Sequence, residues 1–599
     1  VVMIKKIEID GLIQNATVLH QQLKFSEAQN IYEQILTLEP DHFDALRLLG
    51  VLFAQTKKNT EAVEVLSKAL KVNPNHVRSL SNLGIALKGL ERLDESLTSF
   101  DKAISLDPNF ADAYSNRGNV LQNMGRFDEA LDSVDKALSL GPAYAEAYYN
   151  RGNILRNLKR FSDAIASFDK AILLKPDYAE AYYYIGNILL GLSRLDEALA
   201  SYDKAIMFKL DYADAFNNRG IVLRKLNLLD DALASYDKAL ELKPNYLDAI
   251  TNKSRILDEL SRFEQAIIFY KKAIEIEPSL ALPNYNLSIT NLRLGNFKEG
   301  WQGYEWRWKV EDYIGTELQT NKPSWDYKKT NKKLLIWCEQ GIGDHIAFGT
   351  ILNDLLKVIP NLSVQIDKRL VKIFSRSLPK IKFYPKDFKV PEAEYEIHAP
   401  IADLGGCFRN KEEDFLNSRG GYLIDDKNKT TTIKKDLLEL IPASHKICGI
   451  SWQSLRKKDG AQRSIPLKDI IKTLDLKGYT FVSLQYGDTK KELKELKDEL
   501  GINVISYSKV DNFNDIDGLA SLIQACDIVI SVVNVTCHIA GALGKNTYII
   551  HSNESWWGWM TNRTDSLWHE SIKLYRQGKI NDWSSGLKKL KIDLQISNK

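Results

Sequence analysis

Residues 109–142 read NFADAYSNRGNVLQNMGRFDEALDSVDKALSLGP, and this stretch decides the first half of the chain. A first helical pattern carries Ala113, Tyr114 and Gly118, Gly125-Arg126 makes a turn, and a second pattern carries Ala130, Leu131 and Ala137 before Pro142. Helical spacing on both sides of a glycine turn, closed by proline, predicts a helix–turn–helix unit. Its columns return every 34 residues. Proline stands at Pro40, Pro74, Pro108, Pro142, Pro176, Pro244 and Pro278, with Leu210 as the lapse in the series. Gly50, Gly84, Gly118, Gly152, Gly186 and Gly220 form a second column, and Ala28, Ala62, Ala130, Ala164, Ala198, Ala232 and Ala266 a third. A large apolar residue precedes most of these alanines by three places, as in Phe127, Phe161 and Phe263. No such unit buries its apolar face alone, so neighbours must stack into a curved superhelix with an inner groove.

The columns resemble the tetratricopeptide consensus over about nine units, from near Ile7 to near Trp308. The expected first domain is an all-α superhelix over residues 1–312. Asparagine recurs two places before the small residue at Asn82, Asn116, Asn150, Asn218, Asn252 and Asn286, and Tyr184 interrupts the series. A second set, Asn119, Asn153 and Asn187, lies one helical turn further on. An amide has two donors and two acceptors, so such a ladder suits the backbone of an extended peptide, and it resembles the asparagine ladder of protein O-GlcNAc transferases. The alternative use is to cap or bridge neighbouring helices. The repeated Asp-Lys-Ala segments at Asp101, Asp135, Asp169, Asp203 and Asp237 read as a solvated outer face.

The chain has 599 residues, 44% of them hydrophobic and 27% charged, with a formal net charge of +3. That length suggests three or four domains, and the charge gives no field favouring nucleic acid or a membrane surface. The five cysteines, Cys338, Cys407, Cys448, Cys526 and Cys537, are odd in number, scattered and free of C-x-x-C, which supports neither a disulfide frame nor a zinc knuckle. The beginning of the chain shows no signal-peptide pattern. The longest uncharged run, 528–544, is too short and too polar to span a membrane. A cytoplasmic protein with no membrane span and no nucleic-acid partner is expected.

After Gly295 the pattern changes to Gly300-Trp301-Gln302-Gly303-Tyr304-Glu305-Trp306-Arg307-Trp308. Three tryptophans in eight residues suggest a capping helix that packs on the next domain. A linker is expected over 313–332. Beyond it short β-rich runs alternate with helical ones, which predicts an α/β fold. Two strand–loop–helix units stand out. In the first, residues 334–338 lead through Glu339-Gln340-Gly341-Ile342-Gly343-Asp344 to a helix expected from about His345 to Val358. In the second, residues 526–532 lead through Val533-Asn534-Val535-Thr536 to a helix with His538, Gly541 and Gly544. Glycines permit tight turns, and helix N-termini present free N–H groups to anions. Asn534 and Thr536 suit phosphate oxygens or helix capping alike.

These strings, with Gly449-Ile450-Ser451-Trp452, Ser483-Leu484-Gln485, His538-Ile539-Ala540-Gly541-Ala542-Leu543-Gly544, Trp557-Gly558-Trp559 and Leu574-Tyr575-Arg576-Gln577, resemble bacterial tetratricopeptide proteins with a heptosyltransferase-like, family 9-like glycosyltransferase domain. The resemblance implies a GT-B fold of two Rossmann-like halves, 333–442 on the acceptor side and 443–599 on the nucleotide-sugar side. It implies Asp344 as the general base of an inverting transfer, with His345 as a weaker candidate or packing residue. Arg463, Asn534, Thr536, His538 and Gln485 fall on the donor side, with Lys545 as a lesser addition. Many relatives carry Asp-Thr where this chain has Val533-Asn534, so a sugar-contacting carboxylate is missing. No cofactor or metal is expected beside the nucleotide-sugar co-substrate. Asp515-Ile516-Asp517 is a D-x-D, but it precedes a helix and reads as a cap. Trp556, Trp557 and Trp559 suit stacking on a base or sugar, or packing in the core.

The favoured expectation is an enzyme, a glycosyltransferase acting on a protein hydroxyl held by the repeats. The alternatives are transfer to a glycan or lipid-linked sugar, with the repeats docking a partner, and a non-catalytic scaffold.

Overall fold

The computed structural model describes residues 2–311, 313, 315–416, 420–456, 460–552, 556–578 and 582–596, with side chains from residue 8 onward. It divides into two compact units, residues 1–246 and 247–599.

The first unit is a stack of antiparallel helical hairpins. The stretch that opened the reading forms helices Ala111–Asn123 and Phe127–Leu140. The turn residue Gly125 has φ +75°, and the corresponding Leu23, Lys57, Glu91, Lys159, Ser193 and Asn227 take the same left-handed conformation. Six non-glycine residues thus accept a strained φ because the hairpin turn requires it. Proline is not what ends the second helices. Lys209 before Leu210 closes its helix with φ −141° and ψ 91°, as Asp107 before Pro108 does with −136° and 92°, each N–H returning to an alanine carbonyl four residues back. The glycine column is explained by close approach. A β-carbon at Gly84, Gly152, Gly186 or Gly220 would stand 2.6–2.7 Å from the ring of Phe100, Phe168, Tyr202 or Tyr236, sixteen residues on. Gly152→Ala is therefore expected to destabilise the protein by about 1–3 kcal/mol. Gly191→Ala, at a helix end with open space around it, should be neutral or stabilising by up to ~1 kcal/mol; paired urea-unfolding curves check both.

On the outer face Asp101, Asp135 and Asp203 pair with Arg117, Arg151 and Arg219, each at 2.6 Å, joining one hairpin to the next. The aspartates are about half exposed, so each pair contributes at most about 1 kcal/mol.

The second unit begins with two more hairpins, Leu247–Glu259 with Phe263–Ile276 and Ala281–Leu294 with Phe297–Gly303, followed by a 3-10 turn Tyr304–Lys309. An irregular stretch then runs along the first sheet, where Trp325 is buried and its N–H donates to the His398 carbonyl at 2.8 Å. The first sheet contains β1 (Leu334–Trp337), β2 (Leu362–Ile366), β3 (Lys382–Pro385) and β4 (Ile397–Pro400) in the order β3-β2-β1-β4. The second contains β5 (Lys446–Ser451), β6 (Tyr479–Ser483), β7 (Val504–Ile505), β8 (Ile528–Val532), β9 (Thr547–His551) and β10 (Ile572–Arg576) in the order β10-β9-β8-β5-β6-β7. All pairings are parallel, with Leu334 opposite both Leu362 and Ile397, and Cys448 opposite Ile528. Strands such as β1, β8 and β9 are buried along their whole length, as a parallel sheet covered on both faces requires. Counted within the second sheet the order is 3-2-1-4-5-6, the doubly wound arrangement whose ligand crevice lies beyond the carboxyl ends at the switch point. The α/β expectation therefore holds for both sheets.

One boundary differs from expectation. The helix foreseen from His345 to Val358 is two helices, Ile342–Gly349 and Leu352–Val358. It starts earlier because Gly341 is the N-cap, and it breaks near Thr350, where the Tyr422 hydroxyl and Phe374 crowd Gly349. Asp344 thus sits in the first turn.

Candidate functional site

The exits of two strands, the first carrying Gly341 and Gly343, meet between the sheets. Helix Ile342–Gly349 follows β1 and helix Val535–Ala542 follows β8. A β-carbon on Gly343 would lie 3.0 Å from the His538 ring, so glycine here lets the two helices approach. Gly341 caps the first helix, and its N–H donates to Asp344 Oδ2 at 3.3 Å.

Asp344 is partly buried at this meeting point. Burial pushes its pKa up to about 6, while Arg456, the Gly341 N–H, Arg463 and a hydrogen bond from the Trp556 indole pull the other way. Arg456 and Arg463 both belong to the loop after β5, so the basic groups of the second half face the carboxylate of the first. Tyr285, on helix Ala281–Leu294, closes a third side. Burial raises its hydroxyl to about 12, and the charges of Arg307, Asp344, Arg456 and Glu339 act on it. The same helix packs against Trp557–Trp559. Asp344, Arg463 and His538 are therefore brought together, and Tyr285, Arg456 and Glu339 join them.

The remaining donor-side residues are used differently. Asn534 spends both amide hydrogens and its oxygen on the chain. Nδ2 donates to Ser451 Oγ at 2.7 Å and to the Gln453 carbonyl at 3.1 Å, and Oδ1 accepts from the Thr536 N–H at 3.0 Å and Ser531 Oγ at 3.3 Å. Helix capping is the reading the geometry gives for it. Thr536 is fully buried behind that cap. Gln485 Oε1 accepts from Ser451 Oγ and the N–H groups of Trp452 and Gln453 at 2.9–3.0 Å, and its Nε2 donates to two carbonyls. Gln485 thus shapes the loop that leads to Arg456 and Arg463 and offers no free amide group. His538 is buried, with its ring stacked on Trp559 at 5.0 Å and edge-on to Trp556 at 5.1 Å, and burial followed by Arg463 lowers its pKa to about 3. Its Nδ1 has no hydrogen-bond partner, so it is a neutral ring with one open position.

His345 is a packing residue. Its ring nitrogens meet the Gln340 carbonyl at 3.0 Å and the Asp367 N–H at 3.5 Å. Lys545 donates to the carbonyls of Gln524 and Cys526. Asp515 accepts from the Gly518 N–H at 2.8 Å as a helix cap, and Asp517 pairs with Arg376 and Lys372. Trp557 and Trp559 are core residues, whereas Trp556 stays partly exposed beside Asp344.

In the first unit Asn82 and Asn116 are partly buried. Asn150 is buried and donates to Ser115 Oγ at 3.1 Å, and Asn218 donates to Asn187 Oδ1 at 2.9 Å and the Tyr183 hydroxyl at 3.2 Å. At these two positions the amides bridge neighbouring hairpins. Asn252 and Asn286 are partly buried in the second unit.

Tyr285 and Arg456 were missed by sequence reasoning for different reasons, and Glu339 was read only as part of the glycine-loop string. A basic residue just beyond β5 was visible as a signal for Arg456. Tyr285 had none, because only tertiary packing turns it toward Asp344.

Tetratricopeptide repeat models match residues 111–144, 145–178, 213–246, 14–77, 179–212 and 247–280, and a TPR repeat model matches 89–125. The chain carries tetratricopeptide repeats, a protein-interaction architecture. It is 29% identical over 295 residues to protein FlbA of Caulobacter vibrioides, covering 46% of this chain and 49% of that protein. The chain thus spans about half the length of this curated relative. Among solved structures it is similar to YrrB, described as a TPR protein with an unusual peptide-binding site, at 29% identity, 31% and 97% coverage and a TM-score of 0.27. It is also similar to PilF of Pseudomonas aeruginosa at 20% identity, 35% and 94% coverage and a TM-score of 0.32. Among the described residues no helix is long and apolar enough to cross a membrane.

Proposed function

We propose that residues 333–599 form a GT-B glycosyltransferase domain that moves a sugar from a nucleotide donor to a protein hydroxyl, the polypeptide being held by the repeats. The observation that carries this reading is the convergence of a carboxylate with raised pKa, two arginines and an indole between two parallel sheets, with the last repeat on the third side. Asp344 accepts the acceptor proton as the acceptor oxygen bonds to the anomeric carbon. The bond from that carbon to the diphosphate oxygen breaks, and its electron pair leaves with the diphosphate. A single displacement inverts the anomer. Arg456, Arg463 and the N-terminus of helix Val535–Ala542 meet the charge that develops on the leaving group. The scheme needs no metal.

Thermal-shift titration with UDP, GDP, ADP and CMP tests the donor side, since a ligand at ~100 times its Kd adds about 2.7 kcal/mol to the unit that binds it. One nucleotide should raise the melting temperature selectively, and Arg463→Gln should weaken its binding about tenfold or more, the loss of one charge-assisted contact. Silence across the panel favours a second reading, a non-catalytic scaffold. That reading has its own support in Val533-Asn534, where relatives carry Asp-Thr: the carboxylate is absent, and both Asn534 amide hydrogens are spent on the chain.

A further inference from the structure

Arg307 sits on the 3-10 turn that ends the repeats, yet it is fully buried in the α/β region. Its Nη2 donates to Glu339 Oε1 at 3.2 Å and to Asp403 Oδ1 at 2.5 Å, and Nη1 donates to the Tyr304 carbonyl at 3.1 Å. The guanidinium lies over the rings of Tyr304 and Trp308 at 4.7 and 4.6 Å. Glu339 stands just beyond β1 and Asp403 just beyond β4, so the cation fills the carboxyl ends of the strands between which the first sheet reverses its order. In doubly wound sheets that crevice receives ligands. Here the chain fills it with its own arginine.

The charges are unequal. Burial lowers the pKa of Arg307, but two carboxylates outweigh it and hold the cation firmly. Glu339 has one guanidinium against its own burial and is pushed up to about 7, and its Oε2 has no hydrogen-bond partner. Next along the chain, Gln340 Nε2 donates to the Tyr304 hydroxyl at 2.9 Å. Gly341 and Asp344 follow directly. Two successive residues of the glycine loop are thus held by the repeat cap.

We propose that Arg307 is a positioning residue through which the last tetratricopeptide hairpin holds the glycine loop, and with it Asp344, in reactive shape. The hairpin is then part of the catalytic centre as well as a holder of acceptor. The chemistry it serves rests on the glycosyltransferase reading; the coupling of hairpin to loop does not.

The test uses the full chain as Arg307→Met, Arg307→Lys, Glu339→Gln and the Arg307→Met/Glu339→Gln double variant. Amide hydrogen exchange at 339–344 should quicken at least tenfold in Arg307→Met, with β8 unchanged. Arg307→Lys should recover most of the protection. Nucleotide release from UDP-, GDP-, ADP- or CMP-linked sugars should fall at least tenfold while the Kd of the free nucleotide stays within twofold. The double variant should be no worse than Arg307→Met, because both changes break one linkage. Unchanged exchange at 339–344 in Arg307→Met overturns the proposal, as does additive loss in the double variant. If Arg307→Met loosens all of 247–599, Glu339→Gln decides: faster exchange confined to 339–344 supports the coupling and no change overturns it. A wild-type chain that releases no nucleotide sinks the glycosyltransferase reading, and hydrogen exchange alone then judges Arg307.

Discussion

Asp344→Asn is expected to lower sugar transfer by about 10²–10⁴-fold, the usual contribution of a positioned general base, and to stabilise the protein at pH 7.5. The two effects share one cause. The folded pKa of about 6 lies above the ordinary 3.8, so the native state binds this proton more tightly than the unfolded chain. The stability tied to that proton is fully present below pH 3.8, is lost between pH 3.8 and 6, and above pH 6 the ionised carboxylate costs the native state. A shift of this size corresponds to about 3 kcal/mol, and partial exposure reduces it to about 1–2 kcal/mol. Asparagine keeps an oxygen to accept the Gly341 N–H, so the helix cap survives the exchange. Melting temperatures at pH 4 and pH 7.5 should therefore coincide with wild type at the first and exceed it at the second. The transfer rate of the wild type should rise with pH through about 6, as the carboxylate forms. Unimpaired transfer by the variant removes Asp344 from the chemistry. A variant less stable at pH 7.5 shows that the carboxylate serves as a cap stronger than an amide.

What could be read in the chain follows the range of the forces involved. The helical hairpin is local, with its close approach confined to sixteen residues, and so Gly84, Gly152 and Gly220 announce it through a 34-residue period. Gly341, Gly343 and Asp344 were legible because a tight exit from a strand and a helix cap are also local. The fates of Asn534 and Arg307 were not. An asparagine before a helix suits a phosphate as well as a cap, and only Ser451 and Gln453, more than eighty residues earlier, decide between them by consuming its amide hydrogens. Arg307 finds partners 32 and 96 residues away, and no periodicity reports such distances. The break near Thr350 has the same origin, since Tyr422 and Phe374 arrive from elsewhere in the sequence.

Trp301→Ala should cost about 3–5 kcal/mol, the range for a buried tryptophan, against a net stability of only about 5–15 kcal/mol for a whole domain. The indole is 8% exposed, and its Nε1 donates to the Arg409 carbonyl at 2.8 Å. Its ring meets Tyr304, Phe348 and Trp557 at centroid distances of 5.3, 6.3 and 5.4 Å. A β-carbon on Gly405 would stand 2.2 Å from the indole, so the helix after β4 is shaped around this one side chain. Trp301 belongs to the final hairpin, Phe348 to the helix carrying Asp344, and Trp557 to the second half. Truncation opens a cavity where all three meet and leaves the Arg409 carbonyl without its donor. Hydrogen exchange should then quicken together in helix Ala281–Leu294, β1 and helix Ile342–Gly349, and Trp301→Phe should restore most of the packing without the Arg409 hydrogen bond. If helix Ala281–Leu294 alone opened while β1 kept its protection, the last hairpin would be an ordinary repeat resting on the α/β region. Joint opening makes it a structural wall of the cleft, which is the condition for Tyr285 and Arg307 to act where the chemistry is.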